Sequence, residues 1–146
     1  MSQLIDSTKI VPCVTVAAGA AGSTAIEGSV IDFSGYTGAL IIVQTGPIVA
    51  NAVTSIKFQH GDAADLGDAA DVVGTGKAIA DDDDNKVFYI DVSRVTKRYG
   101  RLYVSRATQN ATVAATALLY GSTLSPVTQA SGVSGETHVA KIAGTA

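Results

Sequence analysis

Five places in the sequence carry residue types and spacings that could do chemistry. The first is the run Asp81-Asp82-Asp83-Asp84 followed by Asn85. Carboxylates at alternate positions can converge on Ca²⁺, and Asp81, Asp83 and Asn85 match the first half of an EF-hand loop. Lys86 then stands where that loop needs Gly, and Val92 where it needs a bidentate Glu. The run therefore reads as a charged loop tip that its own repulsion keeps in water. The second place, Gly74-Thr75-Gly76-Lys77, looks superficially like a phosphate loop. Asp71 occupies the position of the required first Gly, and Ala78 that of the Ser or Thr. The third is Cys13, with His60 or His138 as a base. Cys13 sits in an apolar strand-like segment, where a small buried hydrophobe is the ordinary role and nothing lowers the thiol pKa. The fourth, the pair Asp65 and Asp68, has no apolar wall to raise one carboxyl for acid–base work and reads as loop decoration.

The fifth is a binding surface and not a reaction centre. Arg94, Lys97, Arg98, Arg101 and Arg106 are interleaved with Tyr99 and Tyr103. Arg and Tyr offer wide planar contacts and several hydrogen bonds, the chemistry of protein interfaces. Arg94, Arg98, Tyr99, Arg101 and Tyr103 are the candidate interface residues, set against the plainer reading of a strand whose outward positions are charged. A nucleic-acid partner would use the same residues through stacking and phosphate pairing. Against it stand a net charge of -3 and the lack of a Gly-aromatic RNA motif. No catalytic residue, metal site or cofactor is expected.

The elements that must position these residues are strands. Thr54, Ile56, Phe58 and His60 alternate with Ser55, Lys57 and Gln59; Phe88, Ile90 and Val92 alternate with Val87, Tyr89 and Asp91. Leu102 and Val104 oppose Arg101, Tyr103 and Ser105, and Val113, Ala115, Ala117 and Leu119 oppose the even-numbered positions of 112–118. Such period-two patterns predict half-buried strands. Ala39 to Gln44 is apolar on both faces and predicts a central strand. Residues 10–17 and 25–33 predict two more, the first an edge because of Pro12. Gly-rich breakers separate the runs, and only Asp62 to Val73 offers material for a short helical turn. Seven or eight short strands without intervening amphipathic helices predict an all-β fold. It is a single antiparallel β-sandwich or jelly-roll domain over residues 10–121. Residues 1–9 and 122–146 read as extended terminal arms, the latter small, polar and dotted with Gly.

Composition narrows the class further. The chain has 146 residues, 47% of them hydrophobic but only 16% charged, well under the usual quarter or so. Mean hydropathy is +0.29, yet no apolar run approaches the ~18 residues of a membrane helix, so no membrane partner is expected. The start, Met1 to Asp6, lacks the basic region and apolar core of a secretory signal, which leaves the sequon at Asn110-Ala111-Thr112 without support. A lone Cys gives no disulfide framework. Eight of the thirteen acids lie between Asp62 and Asp84, and six of the ten Lys and Arg between Lys86 and Arg106. Little charge elsewhere on apolar strands suits a protein covered by neighbours.

Several segments in order resemble small structural proteins of tailed phages: Asp32-Phe33-Ser34-Gly35-Tyr36-Thr37-Gly38 with Ala39 to Val43, then Ser55 to Gly61. Tyr89 to Val92, Arg98 to Val104 and Ala114 to Gly121 continue the pattern, which spans residues 30–126. The group resembled is the tailed-bacteriophage head decoration, or cement, family. The resemblance implies a non-enzymatic virion protein on the capsid exterior, assembled as a homotrimer and bound to the major capsid protein. It carries no catalytic residues, and the acidic run and the Gly/Ser-rich tail lie outside it. The alternatives from the sequence are another virion component, such as a head-completion or tail protein, and a carbohydrate-binding sandwich module. The absence of Trp weighs against the last.

Overall fold

The computed structural model describes residues 3–137. Ten strands carry the fold: β1 (Lys9–Val14), β2 (Ile26–Glu27), β3 (Ile31–Asp32), β4 (Gly38–Ile48), β5 (Val53–Gly61), β6 (Ala70–Asp71), β7 (Lys77–Ile79), β8 (Val87–Ser93), β9 (Tyr99–Ala107) and β10 (Ala111–Tyr120). They make two antiparallel sheets, so the chain is an all-β sandwich. The first sheet runs β1-β10-β4-β8; the second runs β2-β9-β5-β6, with β3 also on β9 and β7 also on β5.

Alternation explains the packing. Along β5 the buried side chains are Thr54, Ile56 and Phe58, and along β9 the buried apolar ones are Leu102 and Val104. These face Ala39, Ile41 and Val43 of β4 and Val113, Ala115, Ala117 and Leu119 of β10 in one continuous core. Phe33 and Phe58 meet edge to face, centroids 6.0 Å apart and planes at 85°. Gly100 of β9 makes room for them: a Cβ there would lie 2.3 Å from the Phe58 ring. β4 is central as its two apolar faces predict, with β10 on one side and β8 on the other.

Four local expectations are corrected. The predicted strand over 25–33 is two short pieces, β2 and β3. Between them Gly28 lies so close to the Leu102 and Cys13 carbonyls that a side chain would clash. The strand predicted over 10–17 stops at Val14, with a bulge between Pro12 and Val14. Residues 62–73 hold no helical turn. Leu66 takes a left-handed φ of 54° and is buried, while the Asp68 carboxylate accepts from the Asp62 and Ala63 N–H groups and fixes a non-helical turn. The segment 1–9 contains a helical turn, α1 (Leu4–Ser7), closed by reciprocal bonds between Gln3 and Asp6.

The two flanks of the sandwich differ. On the β1 flank, Ser29 N–H donates to the Cys13 carbonyl at 2.8 Å. The Gln129 side chain accepts from Ile10 N–H and donates to the Thr8 carbonyl, both at 2.8 Å. Val127 N–H donates to the Asp6 carbonyl at 3.0 Å. The described part of the C-terminal segment thus lies along the N-terminal one, and with Pro12 it blunts that sheet edge. On the opposite flank, among the described residues, β8 has one strand neighbour, β4, and a groove lined by Gly74 to Lys77 runs along its outer edge.

Candidate functional site

The chemistry-bearing residues are not gathered into one pocket. Cys13 is buried, and burial pushes its thiol up to about 12, so it stays protonated. His60 is the penultimate residue of β5 on the second sheet, and His138 lies outside the described residues. The acidic run is a brace. Asp84 Oδ1 accepts from Ile48 N–H at 2.6 Å, Asp81 Oδ2 from Asn51 N–H at 2.5 Å, and Asp83 Oδ2 from Ala80 N–H at 2.9 Å. Asp83 also pairs with Lys86 Nζ at 2.6 Å, which holds its carboxyl below the usual range. Thr45 Oγ1 donates to the Asp83 carbonyl at 2.6 Å. Three of the four carboxylates therefore point inward to the β4–β5 turn and the loop itself, where their charge satisfies backbone donors. Among the described residues no group of three or more His, Cys, Asp or Glu is placed to hold a metal ion.

The basic block divides. Tyr99, Arg101 and Tyr103 lie on the outer face of the second sheet, beside Lys57 and Gln59 of β5. Arg101 pairs with Glu27 at 2.9 Å and donates to Gln59 Oε1 at 2.9 Å. Lys57 Nζ stands 5.0 Å from the Tyr103 ring centre and pairs with Asp71 at 2.7 Å. Arg98 lies 5.1 Å from the Tyr99 ring and binds Asp32 through two nitrogens, each at 3.1 Å. That guanidinium holds the Asp32 carboxyl below its ordinary value. Arg94 is exposed, in a left-handed conformation just after β8. Lys97 pairs with Asp62.

Arg106 does not belong with them. Following Leu102 and Val104 on the inner face of β9, it is 8% exposed. Its guanidinium donates to the carbonyls of Thr24, Ala20 and Ala111 at 2.7–2.8 Å. Desolvation lowers its pKa, but three carbonyls compensate the buried charge and tie loop 15–24 to the start of β10. Charge alone grouped it with the surface; strand phase puts it inside.

The outer face of the first sheet was not among the sequence candidates. Strand register sets Tyr89 beside Ile42, Val87 beside Gln44, and Leu118 beside Leu40 and Ile10. Val87 is 62% exposed and Tyr89 72%, while Leu40 and Ile42 are half-buried and line a shallow all-apolar depression with them. At one end of this face Tyr120 donates its hydroxyl to Asp91 at 2.6 Å, and toward the other end stand the exposed Gln44 and Thr116. The Tyr120 ring crosses β4 at Gly38, where a Cβ would come within 2.7 Å of it. Burial and the Asp91 charge push the Tyr120 phenol up to about 12. The signal in sequence was Ala39 to Gln44, apolar on both sides, with Val87 and Tyr89 apolar on the supposedly wet side of β8.

No protein-family model matches the chain, and no curated protein matches it. Among solved structures, the crystal structure of the SPBc2 prophage-derived protein YomS is similar at 12% identity. It covers 82% of this chain and 97% of that one with a TM-score of 0.49. A structure of the infectious bursal disease virus Gx strain is similar at 14% identity and a TM-score of 0.38. That match covers 83% of this chain and 31% of the viral one, so this chain spans about a third of that protein's length.

Proposed function

We propose that this chain is a structural protein of a phage or virus particle, and more specifically a decoration protein that binds the outer surface of a phage head. One observation carries the reading: the first sheet turns a broad apolar face, Leu40, Ile42, Leu118, Val87 and Tyr89, away from the core. Water-facing sheet faces are normally polar, and an apolar patch of this kind marks a surface that a partner covers. The order of the segments over residues 30–126 resembles decoration proteins, and that resemblance supplies the class of partner, the major capsid protein. On this reading Arg94 and Arg98 of the β8–β9 connection, with Tyr99, Arg101 and Tyr103 of the second sheet, contribute a contact between subunits, in a homotrimer. No catalytic role is assigned.

The test is co-sedimentation of the purified chain with empty capsids. Saturable binding at a fixed ratio to the capsid protein is expected, and hundreds of copies per particle distinguish decoration from head completion or a tail part. A chain that stays in the supernatant at every ratio overturns the proposal. A glycan array with specific hits would favour a carbohydrate-binding module instead.

A further inference from the structure

We propose that residues 138–146 dock across the outer face of the chain's own first sheet, along the row Ile10–Leu118–Leu40–Asp91, with Lys141 on Asp91. Register sets the row. Ile10 of β1 lies beside Leu118 of β10, Leu118 beside Leu40 of β4, and Leu40 beside Asp91 of β8. Leu118 and Leu40 are half-buried. The Tyr120 ring, which crosses Gly38 to reach Asp91, borders the row on one side, and Thr116, Ile42 and Tyr89 border it on the other. The result is a shallow apolar track that ends in one carboxylate.

The place where the described chain stops selects the occupant. The C-terminal segment passes Gln129, which bonds Ile10 N–H and the Thr8 carbonyl, and runs on to Thr137. Val133 to Thr137 line a cavity of about 420 Å³ together with Ile5, Ile10 and Gln129. Residue 138 therefore starts at the β1 end of the track. Neighbouring strands lie ~4.8 Å apart, so three spacings separate Ile10 from Asp91 by about 14 Å. Extended chain advances ~3.3 Å per residue, and the four steps from Thr137 to Lys141 cover about 13 Å. The segment reaches the carboxylate with its only Lys.

The side chains agree with the length. In extended chain Val139 and Lys141 fall on one side. With Lys141 at Asp91, Val139 lies about 7 Å back, over Leu40 and Leu118. Asp91 is the one ionised side chain at the outward positions of this sheet, and among the described residues only its Oδ1 is engaged, by Tyr120. Residues 138–146 contain Lys141 and His138 and no acid. Val139 supplies the adhesion, and the ion pair fixes the register, since an exposed pair contributes little by itself. A segment tethered at the rim meets the track at an effective concentration of roughly millimolar, which favours it over the same segment of a second copy. Ile42, Val87 and Tyr89 stay open beside it, so the docked segment borders the apolar surface and does not close it.

The proposal does not depend on capsid binding, and its test uses the purified full chain alone. An isotope-labelled chain carries a nitroxide on Ala140→Cys; Cys13 is buried and protonated and stays unmodified. Position 140 falls on the side away from the sheet, so the label leaves Val139 and Lys141 in place. Amide signals of Leu118, Leu40 and Asp91 should lose severalfold more intensity than those of Ser55 and Tyr103 on the opposite face. Adding Lys141→Glu should restore the Asp91 signal severalfold, and Lys141→Arg should not; the dispersion of each spectrum reports that the variant is folded. In a third sample the nitroxide sits on unenriched chain mixed with enriched wild type at about 100 μM, well below the tethered concentration, and no broadening is expected. Equal losses on the two faces, losses that stop at Ile10, or an unchanged pattern in Lys141→Glu overturns the proposal. So does equal broadening in the mixed sample, which would give the track to a second copy.

Discussion

The two outer faces of this sandwich are built from the same kind of alternating strand and yet offer opposite surfaces. On the second sheet the outward positions of β5 and β9 are mostly polar, Ser55, Lys57, Gln59, Tyr99, Arg101, Tyr103 and Ser105 with the exposed Val53 at one end, and the charged ones are paired within the molecule. On the first sheet a continuous apolar group, Leu40, Ile42, Leu118, Val87 and Tyr89, lies between the Tyr120–Asp91 pair at one end and Gln44 and Thr116 at the other. A face whose charges are already partnered gains little from a new neighbour, since exposed ion pairs contribute less than about 1 kcal/mol and are screened by salt. An apolar face gains from being covered, at roughly 25 cal/mol per Å². The residues that look most like a binding site in the sequence are therefore the better satisfied ones, and the blander apolar positions are the ones left wanting a partner.

The largest expected effect separates the faces directly. Ile42→Lys places a charge in the middle of the apolar face and should lower capsid binding by more than about tenfold in co-sedimentation, a loss above ~1.4 kcal/mol. Ser55→Lys, on the opposite face, should leave binding within about twofold. Equal losses from both would erase the distinction between the faces.

Next in size is the division of the basic block. Arg106→Met leaves the carbonyls of Thr24, Ala20 and Ala111 without their donor and should cost about 3 kcal/mol in denaturant unfolding. Arg101→Met on the same strand breaks an ion pair whose Glu27 partner is exposed and should cost under about 1 kcal/mol. A similar cost at the two positions would mean that strand phase does not decide their roles.

The acidic loop comes third. Asp84→Ala removes the acceptor for Ile48 N–H and should destabilise by about 1 kcal/mol, while millimolar Ca²⁺ leaves the melting temperature of the wild type unchanged. A rise in melting temperature with Ca²⁺ would show the carboxylates serving a cation and not the β4–β5 turn.

The smallest effect is the response to acid. Asp32 is held below its ordinary pKa chiefly by Arg98, Asp71 by Lys57, and Asp83 by Lys86. Carboxyls with depressed folded values contribute stability above the unfolded value of about 3.9, and that contribution drains away as pH falls through the folded values. Melting temperature should therefore hold steady from neutral pH to about 5 and decline below about 4. The apolar residues of the first sheet's outer face do not titrate, so capsid binding should persist to lower pH than the ion pairs of the second sheet do. Loss of binding at a pH where melting is unaffected would contradict that.

How far these features were legible in the sequence depends on their range. Phe58, Leu102, Val113 and Leu119 announce themselves as core because alternation is a property of a strand by itself, and all four are buried. Arg106 obeys the same phase, although its charge alone would assign it to the surface. Only the carbonyls of a loop some 80 residues away in sequence make the inward site tolerable. Residues 62–73 show the reverse failure: Ala and Leu favour a helix there, and Asp68 overrides them by capturing two backbone donors.

What the sequence by itself determined is the class of fold, the strands that make it, and the direction in which most of their side chains point, because a period of two needs no knowledge of the neighbours. Tertiary structure alone decided which strands lie beside one another, and with that, which outward positions meet charge partners and which meet water. Lys57 and Asp71, or Arg101 and Glu27, become pairs only through register. Tyr89 and Ile42 become one apolar surface for the same reason. The openness of β8 is likewise a result of assembly, since an edge is defined by the strand that is missing from its side, and no local pattern encodes that.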